Sequence, residues 1–185
     1  MSVILIHCLF YHCISIMVLN TKMKINNYIS QLSISAWNVH GLGDKINDNI
    51  FVEKLSSDIN ILLETWTGVK PKANLQNYLS ISKCRKKEKR SKRHSGGIIV
   101  LYKKELTLGI TYIQNGTKSE NRLWLKLDKK VFGLESDLYI CAVYIPPASS
   151  THFDNDIVKL ENEISIFANR GKILLIWGFL LSHWS

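Results

Sequence analysis

A chain of 185 residues is long enough for one domain with a sizeable core, and 46% hydrophobic and 10% aromatic content exclude a disordered polymer. The formal net charge of +9 suits a polyanionic partner, nucleic acid first and an anionic membrane surface second, and says nothing about fold. The four cysteines, Cys8, Cys13, Cys84 and Cys141, make no CxxC pair, so neither a zinc site nor a disulfide framework is expected. Such thiols suit a reduced chain of nuclear or cytoplasmic location.

Residues 3–19, VILIHCLFYHCISIMVL, are almost wholly apolar. Residues 1–30 read as an apolar leader or a membrane segment. The stretch sits at the lower limit for crossing a bilayer, about 17–25 residues. It lacks the basic n-region and small-residue cleavage site of a signal peptide. Met17 and Met23 offer alternative starts, which favours the leader reading, and the two His-Cys dipeptides do not match metal-ligand spacings.

From residue 31 the pattern becomes α/β. QLSISAWNVH alternates apolar and small polar residues as a strand that finishes at Asn38. After a turn at Gly41 and Gly43, with Asp44 as N-cap, Ile46, Ile50, Phe51 and Leu55 follow helical spacing. DINILLETW is a continuous apolar strand of the doubly buried kind, closed by Glu64. YLSIS and Ile98–Tyr102 are further strands. LTLGITYI and RLWLKL read as an antiparallel pair joined through the Asn115-Gly116 turn signal, which doubles as a formal glycosylation sequon. LYICAVYIPP is a strand stopped by Pro146 and Pro147. Phe153, Ile157, Leu160, Ile164 and Phe167 form one helical stripe, capped by Ser150 or Thr151 and by Gly171, and KILLIW follows as a last strand.

Three strands therefore end on Asn38, Glu64 and Tyr144. Each alone has an ordinary explanation: a turn-stabilising amide, a carboxylate paired with a lysine, a core aromatic. A carboxylate closing an apolar strand costs several kcal/mol if buried alone, and a basic partner or a divalent cation is the usual remedy.

Together the pieces SISAWNVHGL (33–42), INILLETW (59–66), SGGIIVLYKK (95–104), RLWLKL (122–127), YICAVYIPP (139–147) and KILLIWG (172–178) resemble, in order and spacing, the endonuclease/exonuclease/phosphatase family. Within it they are most similar to the apurinic-like endonuclease domains of non-LTR (LINE-type) retrotransposons. The resemblance implies an α/β fold over residues 31–178, a four-layer α/β/β/α sandwich of two mixed sheets, incomplete here. It also implies DNA phosphodiester hydrolysis assisted by Mg²⁺ or Mn²⁺. Asn38 matches the asparagine that orients phosphate and metal shell, Glu64 the metal-ligating glutamate, and Tyr144 the tyrosine that contacts the scissile phosphate. A reverse transcriptase domain is the partner implied in an intact parent.

The pattern then breaks. Where the family continues as Gly-Asp-x-Asn, Gly178 is followed by Phe179, Leu180 and Leu181, and the terminal Asp-His pair has no counterpart. His183 has no acid beside it. Residues 179–185 read as an aberrant tail, and a carboxy-terminally truncated, impaired or inactive enzyme is expected, since a general acid–base group is commonly worth about 10²–10⁴-fold.

The run KCRKKEKRSKRH, residues 83–94, sets Lys83, Arg85, Lys86, Lys87, Lys89, Arg90, Lys92 and Arg93 against Glu88 alone. It reads as a solvated loop, as a nuclear-import signal, or as a clamp on the DNA backbone that gives affinity without sequence specificity. Three functional classes stand: a metal-dependent endonuclease, a catalytically dead nucleic-acid-binding module, and a non-functional retroelement relic. A family phosphatase for small molecules is disfavoured by the basic run.

Overall fold

Period-two alternation in the strands sorts their side chains into separate apolar layers, and those layers define the architecture. The computed structural model describes residues 3–8, 14–21, 30–68, 75–85, 87, 94–146, 150 and 156–179, with the backbone alone for 3–8, 14–21, 30 and 179. Along the chain it has β1 (Val3–Cys8), β2 (Ile14–Thr21), β3 (Ser30–Asn38), a 3₁₀ turn at Gly43–Asn47, α1 (Asn49–Glu53), β4 (Ile59–Leu63), β5 (Tyr78–Lys83) and β6 (Ile98–Lys103). A second 3₁₀ stretch at Lys104–Gly109 leads to β7 (Ile110–Tyr112), β8 (Arg122–Leu127), α2 (Lys129–Phe132), β9 (Leu138–Ile145), α3 (Asp156–Ala168) and β10 (Lys172–Phe179).

Two five-stranded mixed sheets result, ordered β1-β10-β9-β8-β7 and β2-β3-β4-β6-β5. In the first, β1, β10 and β9 run parallel, and β8 and β7 are antiparallel additions. In the second, β3 and β4 run parallel, and their other neighbours are antiparallel.

The central apolar layer lies between the sheets. Ile59, Ile61 and Leu63 of β4 and Ile98 and Val100 of β6 meet Leu123 and Leu125 of β8, Ile140 and Ala142 of β9, and Leu174 and Ile176 of β10. The alternate residues face outward. Trp124, Tyr139, Cys141, Val143, Ile173 and Leu175 cover Leu160 and Phe167 of α3. On the other outer face Leu62, Ile99 and Leu101 cover Phe51 of α1 and Leu55. Three apolar layers separate four structural ones, so the expected α/β/β/α sandwich is the observed fold.

Local details differ from the sequence reading. The expected helix through Ile46–Leu55 is split, because the Asp48 side chain accepts from Ile50 N and restarts the helix there, in place of Asp44. Ile50 consequently points outward, 66% exposed, while Phe51 and Leu55 stay buried. LTLGITYI contributes only the three residues of β7, since Lys104–Gly109 winds as a 3₁₀ stretch that buries Leu106. In α3 the buried stripe is Asp156, Leu160 and Phe167, and Ile157 is 49% exposed. Phe153 and the Thr151 cap lie outside the described residues. Gly171 does close α3, its N–H and that of Arg170 both reaching Phe167 O.

Residues read as a leader or membrane segment contribute β1 and β2, which join the ends of the two sheets. Among the described residues no helix is long and apolar enough to cross a membrane.

Candidate active site

The parallel strands β3 and β4 end side by side, with Asn38 opposite Leu63 in register. Beyond them the chain is held by backbone bonds. Val39 N donates to Leu63 O (2.9 Å), Gly41 N to Glu64 O (2.7 Å) and Leu42 N to Thr65 O (2.8 Å), while Trp66 N donates to Gly96 O (2.8 Å) on the far side. Glu64 is thereby wedged between two loops.

This wedge requires unusual backbone. His40, Glu64 and Trp66 all take positive φ, at 45°, 54° and 52°. Side chains with a Cβ adopt that region at a cost of about 1–3 kcal/mol each, and only where surrounding structure over-determines it. The His40 and Trp66 rings lock together edge-on at 4.2 Å. Strain of this density makes the ends of β3 and β4 the candidate site.

The Glu64 side chain is fully buried. Asn38 Nδ2 donates to its Oε1 at 2.9 Å, and Asn38 Oδ1 accepts from His40 N at 3.1 Å. Asn38 thus orients the carboxylate. Glu64 Oε2 is buried and accepts no hydrogen bond, with His40 Nδ1 at 3.5 Å as its nearest ion-pair contact. A buried carboxylate oxygen without a donor costs free energy, and a hard cation would relieve it. Among the described residues no group of three His, Cys, Asp or Glu could hold a metal. A cation held through Glu64 would have one protein carboxylate and would complete its shell with waters and substrate oxygens, as hard divalent ions with one or two carboxylate ligands do.

Tyr144 belongs to the other sheet, and Gly178 brings the sheets together. Gly178 is the register partner of Tyr144, and a Cβ at Gly178 would lie 2.7 Å from Leu63 Cδ1. The missing side chain at Gly178 leaves room for Leu63 of β4, one residue before Glu64. Asn38, Glu64 and Tyr144 consequently share one end of the sandwich, at the carboxyl ends of β3, β4 and β9. A cleft of about 320 Å³ beside Asn38 is lined by Trp37, His40, Lys45, Asp48 and Lys54 among others. Lys45 Nζ donates to Val39 O and Lys54 Nζ lies 5.6 Å over the Trp37 ring.

The basic run divides. Lys83 ends β5 half-buried, its Nζ on Thr117 O at 3.2 Å, and burial lowers its pKa. Lys87 is exposed. Lys86, Lys89, Arg90, Lys92 and Arg93 lie outside the described residues. Arg85 is no solvated clamp. It is 4% exposed, with its guanidinium 4.7 Å over the Tyr144 ring and its Nε on Asn121 Oδ1 at 2.6 Å.

A second buried polar cluster supports this arrangement, and sequence reasoning missed it. Asn121 accepts Tyr144 N on its carbonyl (2.9 Å) and donates its amide to Asp156. Asp156 also receives Ser119 Oγ (2.9 Å) and Arg122 Nη1 (2.6 Å). Arg122, fully buried, bonds Glu163 through Nε and Nη2 at 3.0 and 3.1 Å, and Trp124 Nε1 donates to Glu163 at 2.8 Å. Burial alone would lower the pKa of Arg122, but its bonds to the two acids raise it. The available signal was acidic: Asp156 and Glu163 fall on the helical stripe of Leu160 and Phe167, where a merely solvated acid has no place.

No family model and no curated protein matches this chain. Solved structures do. The catalytic domain of Xenopus laevis APE2 is similar over 78% of this chain and 57% of its own, with 17% identity and a TM-score of 0.55. The 3′ phosphatase NExo from Neisseria, bound to a product DNA hairpin, matches over 78% of this chain and 56% of its own, with 14% identity and a TM-score of 0.51. The 3′–5′ exonuclease NExo from Neisseria meningitidis gives 13% identity and a TM-score of 0.50 over the same shares. The chain shares the fold of these structures, and it spans 56–57% of their length.

Proposed function

We propose that this chain is built as a divalent-metal-dependent phosphodiesterase acting on DNA, of the non-LTR retrotransposon endonuclease type. One observation carries the reading: a fully buried Glu64 carboxylate, oriented by Asn38 on one oxygen and lacking a donor on the other, at the sandwich end that also holds Tyr144. Glu64 would hold Mg²⁺ or Mn²⁺, which supplies polarisation of a phosphoryl oxygen and charge neutralisation of the leaving oxygen. Asn38 keeps the carboxylate aimed. The Tyr144 hydroxyl serves as a donor to the scissile phosphate, and Lys87 and its neighbours in the basic run supply sequence-independent attraction to the DNA backbone.

The rival reading, a nucleic-acid-binding module without catalysis, is favoured by a single position. Phe179 follows Gly178 where the resemblance expects an aspartate, and a phenyl ring can neither position water nor accept a proton. A plasmid-nicking assay with Mg²⁺ separates the two. Conversion of supercoiled to nicked DNA by the wild type and its loss in Glu64→Ala support the phosphodiesterase. DNA binding by both proteins without nicking by either leaves the binding module, and no binding at all rejects both.

A further inference from the structure

The strongest unexplained feature is a pair of opposite, buried and unsatisfied atoms: Glu64 Oε2 and Arg85 Nη2 each lack a hydrogen-bond partner, and they do not pair with one another. We infer that Arg85 is the phosphate-binding arginine of this site, its buried guanidinium edge reserved for a non-bridging oxygen of a substrate phosphodiester next to Glu64. The inference deepens the phosphodiesterase reading and rests on it.

The side chain is held as a receptor would be. Its Nε is fixed by Asn121 Oδ1 at 2.6 Å, and Asn121 is itself anchored on Asp156. The guanidinium lies 4.7 Å over the Tyr144 ring, and it approaches Gly96 so closely that a Cβ there would sit 2.5 Å from Arg85 Cζ. Gly96, at φ 63°, receives Trp66 N on its carbonyl, which ties this cradle to the Glu64 segment. Burial works against the charged form of Arg85, and the negative charges of Asp156, Glu120 and Glu64 partly offset it. A buried guanidinium whose Nη2 has no acceptor is costly in a purely structural role. An oxyanion is the ligand that the Nη2 donor fits, and a phosphate oxygen would accept a charge-assisted hydrogen bond there. Phosphate at Arg85 and a cation at Glu64 would satisfy both orphan atoms with one metal–phosphodiester unit.

The test titrates inorganic phosphate against the full chain at constant ionic strength, following the melting temperature relative to each protein's own phosphate-free value. Arg85→Gln and Arg85→Lys are expected to weaken the apparent phosphate Kd by about ten- to a hundredfold, the loss of a charged hydrogen bond, while the exposed Lys104→Gln control follows the wild type. An arginine that only supports the fold would lower the starting melting temperature and leave the phosphate response intact, and that result overturns the inference. If both variants fail to fold, the Nε–Hε NMR signal of Arg85 in the wild type decides: it must move saturably with phosphate. An unmoved signal, or a wild type with no phosphate response, also overturns it. Failure of the phosphodiesterase reading shows separately, as absent Mg²⁺-dependent nicking by a protein that still binds phosphate through Arg85.

Discussion

Replacing Asp156 by alanine removes the acceptor on which three donors converge: Arg122 Nη1, the Asn121 amide and Ser119 Oγ. Three stranded buried donors at about 1–3 kcal/mol each would cost about 3–9 kcal/mol in total. Two features reduce this. Arg122 keeps Glu163 on Nε and Nη2, and its Nη1 keeps the Asp156 carbonyl at 3.0 Å. The expected loss is then about 3–5 kcal/mol, the usual cost of removing one partner from a buried ion pair. Against a net stability of about 5–15 kcal/mol this is large, and it corresponds to a melting temperature about 6–20 °C lower. Urea denaturation of wild type and Asp156→Ala measures it directly. Adding Arg122→Met to Asp156→Ala should cost less than the sum of the single changes, because the stranded cation goes with its partner. A loss below about 1 kcal/mol for Asp156→Ala, or strict additivity in the double variant, would refute the claim that this cluster anchors α3 to the sheet.

Further outcomes follow from single contacts. Gly178→Ala places a Cβ 2.7 Å from Leu63 Cδ1 and should cost about 1–3 kcal/mol in urea melts while lowering any Mg²⁺-dependent nicking, since Leu63 adjoins Glu64. Burial pushes the Asp58 carboxyl up, but the Lys103 ammonium at 2.7 Å and two Ser33 donors hold it below its ordinary 3.8. A depressed carboxylate stabilises the fold above 3.8 and loses that contribution as pH falls through its lower folded value. Urea midpoints should therefore drop below pH 3.8 less steeply in Asp58→Asn than in the wild type. Burial raises the Cys141 thiol well above 9.0, so mass-spectrometric mapping should find it unlabelled by iodoacetamide until the protein is denatured.

Sheet structure was legible, and so was the meeting of Asn38 and Glu64, because both reside in local pattern. The unbroken INILL of β4 and the alternation of β3 name a doubly buried strand beside another, and their terminal Asn38 and Glu64 do meet, at 2.9 Å. What was not legible is what depends on long-range contact. Arg85 sits in a run of surface-like charges, and long-range contacts with Tyr144, Gly96 and Asn121 bury it. The tie between Asn121, Arg122, Asp156 and Glu163 joins residues 34 to 41 positions apart, beyond any periodic signal. The split helix near Ile50 turned on one side-chain cap at Asp48, a contest between local bonds that the apolar spacing could not decide.

We propose the buried, half-satisfied Glu64 carboxylate as the cation ligand of the site. Titration of Mn²⁺ followed by electron paramagnetic resonance tests it without requiring turnover. The expected result is saturable Mn²⁺ binding that competes with Mg²⁺ and disappears in Glu64→Gln, whose amide can keep the Asn38 contact through its oxygen and has no charge to offer the ion. Undiminished Mn²⁺ binding by folded Glu64→Gln, or none by the wild type, would contradict it.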